Sequence, residues 1–238
     1  MSSQNETPRV LLVRHGETEW TKSGRYTSTT DIELTPEGAA QVSSTAEKLV
    51  GAGKLLDPSR LAHIFVSPRR RATRTFELLM QSHSPAAAKW EKSVTYTEDI
   101  AEWDYGKYEG LTEREIRRLR KEKGLDLERE WDIWRDGCEG GESMQQVSER
   151  LDRLISQIRE IQRPYMNGEK PTDVLLVAHG LVLRCFFKRW LGFSVDHPLR
   201  LIMDPGAITV LSYKNNNIEE PAFHIGITLP STDETRNE

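Results

Sequence analysis

Two apolar runs in this chain end abruptly at a His-Gly pair. The first run, 10–13, leads into Arg14-His15-Gly16, and the second, 174–177, leads into Ala178-His179-Gly180. A short apolar run that breaks at a glycine is typical of a buried strand in a parallel sheet. Because the carboxyl ends of parallel strands meet at one edge, where ligands bind, we expect both histidines at the same edge.

Further strand and helix patterns lie between and around these runs. Thr35-Pro36 is typical of a helix N-cap and first residue. A third apolar run, 64–66, stops at Ser67-Pro68, so Ser67 is predicted to cap another helix. Capping boxes at 112–115 and 143–146 predict two more helices. The alternation predicts an α/β fold of three layers, αβα, with a mostly parallel central sheet.

We expect a single domain, from residue 9 to residue 229, because 238 residues suit one large α/β domain better than two. Residues 85–142 interrupt the alternation, since they are rich in Trp, Tyr and charge and contain no long apolar run. We interpret them as an insertion over the active-site edge, the edge that receives the histidines. The stretches 1–8 and 230–238 are expected to be polar tails.

Composition narrows the class of partner. Lys and Arg total 33 against 37 Asp and Glu, a net charge of -4, which argues against a nucleic-acid surface. No apolar run is long enough to span a bilayer, and the first residues do not resemble a signal peptide. Two cysteines provide no disulfide framework. We expect a cytoplasmic protein without a membrane or nucleic-acid partner, and the oligomeric state stays open.

Basic side chains accompany the histidines. Arg14 adjoins His15, and Arg71 falls in the first turn of the helix predicted after Ser67. Two guanidinium groups near one imidazole disfavour its protonation and offer bidentate contacts to phosphate oxygens. Backbone N–H groups at that helix N-terminus would add donors. Since histidine is a competent nucleophile toward phosphorus, these residues predict a small phosphorylated metabolite as the partner.

Phosphoryl transfer also needs a proton donor for the leaving alkoxide, which a carboxylic acid can supply. Glu102 is the candidate, because the flanking Trp103 and Tyr105 would shield it from water. His179 is expected to hydrogen-bond the transferring oxygens, a type of electrostatic stabilisation worth roughly 3 to 4 kcal/mol.

Six motifs succeed one another along the chain: Arg14-His15-Gly16-Glu17-Thr18-Glu19-Trp20, Leu34-Thr35-Pro36-Glu37-Gly38, Ser67-Pro68 with Arg71-Ala72 and Thr75, Glu102 with Tyr108-Glu109-Gly110, Gly141-Glu142-Ser143, and Ala178-His179-Gly180. Together they resemble the histidine phosphatase superfamily, which has the phosphoglycerate mutase-like fold. The resemblance implies that His15 is the phosphorylated nucleophile and Glu102 the acid. It also implies that Arg14, Arg71 and His179 hold the phosphate, with no metal or other cofactor.

More narrowly, residues 20–27, 102–106 and 134–139 are similar to the fungal sedoheptulose-1,7-bisphosphatase branch, which implies a sugar phosphate or bisphosphate substrate. This chain has Thr21 where the family usually has Asn, and Thr27 where it usually has Gln. The segment 191–206 is shorter than in the branch, so the need for a second phosphate stays open. The candidate substrate-binding residues are Thr21, Tyr26, Thr27, Ser67, Tyr105, Gly180 and Arg184.

Other functions are compatible with these residues: a phosphoglycerate-type phosphomutase, a broad-specificity phosphomonoesterase, or an inactive regulatory member. A metal site built from the two histidines and Glu102 is disfavoured, because Arg14 and Arg71 would repel a cation. The sequence therefore predicts a metal-independent phosphoric monoester hydrolase that acts through a phosphohistidine.

Overall fold

The computed structural model describes residues 7–81 and 93–226, so most of both predicted tails and residues 85–92 of the predicted insertion lie outside it. The strands of the sheet are Val10–Arg14 (β1), Leu61–Val66 (β2), Val94–Tyr96 (β3), Asp173–Ala178 (β4), Ile208–Tyr213 (β5) and Pro221–Phe223 (β6). Their order is β3-β2-β4-β1-β5-β6. The first four strands are parallel, whereas β5 is antiparallel to β1 and to β6. The predicted mostly parallel sheet is confirmed.

Several helices begin where the caps predict. The α-helices of the described residues are Glu19–Ser23 (α1), Pro36–Leu49 (α2), Arg70–Met80 (α3), Glu113–Glu122 (α4), Ile133–Asp136 (α5), Met144–Gln162 (α6) and Gly180–Trp190 (α7). The side chains of Thr35, Thr112 and Ser143 cap α2, α4 and α6. None of these helices is long and apolar enough to cross a membrane.

The cap predicted at Ser67 is wrong. Helix α3 begins at Arg70, its N-cap is Arg69, and no side chain caps it. Ser67 instead extends the sheet, because its N–H donates to the Val177 carbonyl oxygen at 3.0 Å. This bond keeps the chain extended past the end of β2 and delays the helix. The Ser67 hydroxyl is thereby left for a contact at the active-site edge.

The apolar strands supply side chains to both faces of the sheet. Leu12 and Leu176 belong to a buried cluster that contains the apolar stripes of α6 and α7. Leu11 and Leu175 belong to a second cluster, with the buried side chains of α2 and α3. Because successive strand residues point to opposite faces, one sheet separates two helical layers. The predicted αβα arrangement of three layers is confirmed.

The segment predicted as an insertion is divided in the structure. Val94–Tyr96 pairs with β2 and so belongs to the sheet, which its short polar pattern did not predict. The remainder carries α4 and α5, and its aromatic side chains Trp103, Tyr108 and Trp131 are buried in the same cluster as α6 and α7. These rings therefore anchor the segment to the rest of the protein.

A buried carboxylate ties together the starts of the three central parallel strands. Asp173, whose side chain is 1% exposed, begins β4. It accepts hydrogen bonds from the backbone N–H and Nε of Arg9, both at 3.0 Å, and from Arg60 Nε at 3.2 Å. Arg9 immediately precedes β1, and Arg60 immediately precedes β2. The ion pairs thus hold these strands at the end opposite to the histidines.

We predict that Asp173→Ala lowers the free energy of unfolding by about 3 to 5 kcal/mol, because two partly buried guanidinium groups lose the charge they share. Urea denaturation measures the change. Asp152→Ala is the control, since it removes the half-exposed partner of Arg189 and should cost less than about 1 kcal/mol. Equal losses in the two variants would contradict a strand clamp at Asp173.

Candidate active site

Strand pairing brings the two histidines together. Arg14 and Ala178 are partners in the β1–β4 register, and the His15 N–H continues the ladder with a 2.9 Å bond to the Ala178 carbonyl oxygen. His15 and His179 are the next residues of the two strands. Their ring centroids lie 5.1 Å apart at an interplanar angle of 62°, and both side chains are buried. The expected shared edge is therefore observed.

His15 is held as a neutral ring with one free nitrogen. Its Nδ1 lies 2.7 Å from the Gly16 carbonyl oxygen, which only accepts, so Nδ1 carries the proton and Nε2 keeps its lone pair. Burial, followed by the charges of Arg71 and Arg14, holds the pKa of His15 well below its usual range. The ring is therefore neutral at physiological pH, with Nε2 able to act as a nucleophile.

His179 has the opposite tautomer. Its Nδ1 accepts from Arg71 Nε at 3.1 Å, so its Nε2 donates to the Ser67 hydroxyl oxygen at 2.7 Å. Burial, followed by the charge of Arg71, lowers the pKa of His179 well below its usual range. Both ring nitrogens are engaged within the protein. Donation to a transferring oxygen, the role predicted for His179, thus requires its Nε2 to exchange Ser67 for the ligand.

Arg71 is fully buried rather than displayed to a ligand. Besides His179, its guanidinium donates to the carbonyl oxygens of Thr27 at 3.1 Å, Ser28 at 3.0 Å and Thr30 at 3.0 Å. Burial lowers its pKa, and the charge of Glu102 opposes that shift. Arg71 thus places a positive charge near both histidines and ties His179 to the loop 27–30.

Arg14 offers a donor that the described residues do not satisfy. Its Nη1 donates to the Met203 carbonyl oxygen at 2.6 Å, but its buried Nε has no hydrogen-bond partner among them. The guanidinium packs against Gly180, where a Cβ would lie 3.0 Å from Nε. A buried unpaired donor on a cation is unfavourable. Because Arg14 also lines the cavity described below, its positive charge favours an oxyanion ligand there.

Glu102 is fixed by backbone donors. One carboxylate oxygen, Oε1, accepts from the N–H groups of Trp103 at 3.0 Å and Val182 at 2.8 Å, and Oε2 accepts from Leu181 N–H at 3.0 Å. Leu181 and Val182 lie in the first turn of α7. The expected burial of Glu102 is observed, whereas its attachment to a helix N-terminus was not predicted.

These groups surround a cavity of about 210 Å³. All the predicted site residues line it except Ser67, Arg71 and His179, which lie behind it and are joined to one another by hydrogen bonds. Gly24, Arg25 and Leu181 line it as well, although the sequence did not single them out. The complete lining is Arg14, His15, Thr21, Gly24, Arg25, Tyr26, Thr27, Glu102, Tyr105, Gly180, Leu181 and Arg184.

Aromatic hydroxyls and one more guanidinium form the outer part of the cavity. Tyr26 and Tyr105 meet edge to face with centroids 4.8 Å apart. Burial raises the pKa of Tyr26 to about 12 and that of Tyr105 well above its usual range, so both remain donors. The Arg184 guanidinium lies 5.5 Å from the centroid of the Trp134 ring, and its Nε donates to the Gly180 carbonyl oxygen at 3.0 Å.

Two threonines predicted to bind substrate use their hydroxyls within the protein. The Thr21 hydroxyl oxygen accepts from Thr18 N–H at 2.8 Å and completes the capping box of α1. The Thr27 hydroxyl donates to the Arg25 carbonyl oxygen at 3.2 Å, while the Thr27 carbonyl accepts from Arg71. In this structure the two hydroxyls serve the loop rather than point freely at a ligand.

Glu109 holds the loop that binds Arg71, and the sequence analysis named it only as part of a motif. Its carboxylate accepts from the N–H groups of Ser28 and Thr30, each at 2.9 Å. It thereby holds the loop whose carbonyls bind Arg71. Because its partners are backbone groups far along the chain, only the motif Tyr108-Glu109-Gly110 indicated it.

The described residues include no group of three or more His, Cys, Asp and Glu side chains placed to hold a metal ion. A neutral imidazole lies beside two guanidinium groups at the carboxyl edge of a three-layer αβα sheet, an arrangement suited to binding a phosphate group. Comparison with known proteins identifies the family. Residues 10–223 match the model of the histidine phosphatase superfamily, branch 1, and the chain belongs to this superfamily.

Individual relatives agree with this membership. Sedoheptulose 1,7-bisphosphatase of Saccharomyces cerevisiae is 39% identical, with 92% of each chain covered. An acid phosphatase of Mycobacterium tuberculosis is 35% identical, with 87% of each covered. A solved structure of an open reading frame product from Mycobacterium tuberculosis superposes with a TM-score of 0.71 at 30% identity, covering 92% of this chain and 97% of that one. The predicted family and the predicted class, phosphoric monoester hydrolase, are confirmed.

We predict that acidification destabilises the protein through its two neutral histidines. In the unfolded chain they titrate near pH 6.5, whereas their folded-state pKa values lie well below this. Below about pH 6.5 the unfolded state therefore binds more protons, and the free energy of unfolding falls by up to about 1.4 kcal/mol per pH unit for each histidine. Urea denaturation at several pH values measures this loss. On acidification, the free energy of unfolding of His15→Gln should fall less than that of the wild type. An equal fall in the two proteins would contradict the prediction.

We also predict that Gly180→Ala weakens the binding of inorganic phosphate by about tenfold, because the new Cβ displaces the Arg14 guanidinium and its charge-assisted hydrogen bonds. Isothermal titration calorimetry measures the dissociation constant. Gly226→Ala is the matched control, since a Cβ there meets no atom of the described residues within 4 Å. An unchanged dissociation constant in Gly180→Ala would show that Arg14 does not hold the anion.

Proposed function

We propose that this protein is a metal-independent phosphatase that hydrolyses a small sugar phosphate or bisphosphate through a phosphohistidine at His15. The observation that carries the proposal is a neutral, buried His15, its proton held on Nδ1, in the same cavity as the guanidinium group of Arg14. A nucleophile and an oxyanion donor in one cavity are the two groups that phosphoryl transfer needs first.

In the first step, His15 Nε2 attacks phosphorus and a P–N bond forms as the bond to the leaving oxygen breaks. Glu102, protonated before the step, transfers its proton to that oxygen and becomes a carboxylate. Its Oε2 accepts a single backbone bond, whereas Oε1 accepts two, so Oε2 has room for the proton. Arg14 stabilises the transferring oxygens directly. The Arg71 charge acts beside them through His179.

In the second step, water attacks the phosphorus from the side vacated by the leaving group. The Glu102 carboxylate takes a proton from this water, the P–N bond breaks, and its electron pair returns to His15 Nε2. Inorganic phosphate leaves, and both residues are restored to their starting protonation states. One carboxyl group thus serves first as acid and then as base.

The size and lining of the cavity support a small, polar substrate. A cavity of about 210 Å³ is below the roughly 300 to 1,000 Å³ of pockets for drug-sized ligands. Tyr26 and Tyr105 offer hydroxyl donors suited to a sugar, and Arg184 offers a charge. The likeness to a sedoheptulose 1,7-bisphosphatase agrees with this substrate class. We further propose a cytoplasmic location, which the two unpaired cysteines support.

We predict that His15→Ala abolishes phosphate release, because it removes the nitrogen that attacks phosphorus in the proposed mechanism. Glu102→Gln should lower kcat by about 10² to 10⁴-fold, as expected when a general acid is lost. A phosphate-release screen over sugar monophosphates and bisphosphates measures both, with a chelator as control. Activity that persists in His15→Ala, or that the chelator removes, would contradict the mechanism.

The same assays separate the phosphatase from its alternatives. Incubation with 3-phosphoglycerate and 2,3-bisphosphoglycerate distinguishes hydrolysis from isomerisation, since a mutase forms the isomer without net phosphate release. Failure to trap acid-labile phosphate on His15 with any substrate of the screen would favour an inactive regulatory member.

A further inference from the structure

The tautomer of His15 depends on a backbone carbonyl group whose orientation is fixed by neighbouring parts of the protein. Nδ1 donates to the carbonyl oxygen of the next residue, Gly16, at 2.7 Å. Glycine has the widest backbone freedom of any residue, so nothing within Gly16 directs its carbonyl toward the ring. The orientation of this peptide must come from neighbouring elements.

Thr75 supplies a contact on the amino-terminal side of Gly16. Its side chain is fully buried, and its hydroxyl oxygen accepts from Gly16 N–H at 3.0 Å. The single hydroxyl hydrogen is used on the Arg71 carbonyl oxygen at 2.7 Å. Because a hydroxyl has one hydrogen and two lone pairs, this bond leaves the acceptor side of Thr75 for Gly16.

Helix α2 closes the other side of Gly16. A Cβ at this position would lie 2.9 Å from both the Gly38 carbonyl oxygen and Val42 Cγ2. The Thr35 N–H donates to the Glu17 carbonyl oxygen at 2.9 Å, which holds the residue after Gly16. Gly16 is thus confined between α2 on one side and Thr75 of α3 on the other.

We propose that Thr75 is a positioning residue that keeps His15 in its Nδ1–H tautomer, with Nε2 free to attack phosphorus. The inference rests on the proposed nucleophilic role of His15, but the tautomer itself is a property of the resting protein. Loss of the Thr75 hydroxyl leaves Gly16 N–H buried without its acceptor. The Gly16 carbonyl then loses its fixed direction, and the proton of His15 is free to move to Nε2.

Two substitutions separate the hydroxyl from the shape of Thr75. Thr75→Val keeps the branched shape and removes the hydroxyl, whereas Thr75→Ser keeps the hydroxyl. We expect Thr75→Val to lower kcat and the rate of phosphoenzyme formation by about a hundredfold, the size of effect that a misplaced reacting group produces. KM should change little, because the cavity lining is intact. Thr75→Ser should stay close to wild type.

The tautomer is measured by NMR of protein labelled with ¹⁵N-histidine, which distinguishes the protonated from the unprotonated ring nitrogen. Wild type and Thr75→Ser should show His15 protonated at Nδ1, and Thr75→Val should show a mixture or the Nε2–H form. Thr172→Val is the matched control, since Thr172 is buried and its hydroxyl has no partner among the described residues. It should leave rate and tautomer unchanged.

An unaltered tautomer and rate in Thr75→Val would overturn the proposal, as would equal losses in Thr75→Ser and Thr75→Val. If Thr75→Val does not fold, Thr75→Ala removes the hydroxyl without adding a methyl group to the hydrogen-bonding side and is judged by the same measurements. A wild-type protein that forms no phosphohistidine would refute the proposed function alone. The NMR comparison would still decide whether Thr75 sets the tautomer.

Discussion

The site depends on the register of β1 against β4. Leu12 pairs with Leu176 and Arg14 with Ala178. The next residue in each strand is a histidine, so the two histidines lie side by side at the carboxyl edge of the sheet. A slip of one residue would move every β1 side chain to the opposite face of the sheet. Each apolar side chain of β1 would then enter the wrong one of the two buried clusters. The register is secured at both ends, by the contacts between Arg9 and Asp173 at the start of the strands and by the His15 N–H bond beyond their end.

Once the imidazoles are adjacent, charge determines what each can do. The positive charge of Arg71 acts on both imidazoles and adds to burial in keeping them neutral. Neutral rings differ only in where the proton is, and here hydrogen-bond partners set opposite tautomers. A carbonyl acceptor keeps the proton of His15 on Nδ1, whereas a guanidinium donor keeps that of His179 on Nε2. The hydrogen-bond partners thus make one histidine a potential nucleophile at Nε2 and the other a hydrogen-bond donor at Nε2.

The sequence predicted the layers, the parallel strands and most of the residues around the cavity, because apolar runs, caps and motifs are local or carried by side-chain identity. It did not predict the short strands β3 and β6, which have too few residues for a clear pattern. It misplaced a helix cap at Ser67, since the bond from Ser67 N–H to Val177 is non-local. It did not predict that the carbonyl oxygens of Met203 and of the loop 27–30 bind the two arginines, because a backbone oxygen is the same in every residue type.

The two His-Gly pairs, alike in sequence, act differently because the chain continues differently after each. After His179 the chain enters α7 directly, so Gly180 lets the Arg14 guanidinium approach and the next two N–H groups hold Glu102. After His15 the chain enters a loop, and Gly16 fits instead against α2 and turns its carbonyl to the ring. A helix N-terminus at Gly16 would commit that carbonyl to helical bonding and leave Nδ1 without its acceptor. The non-helical turn after β1 is therefore the feature that distinguishes the nucleophile from its partner.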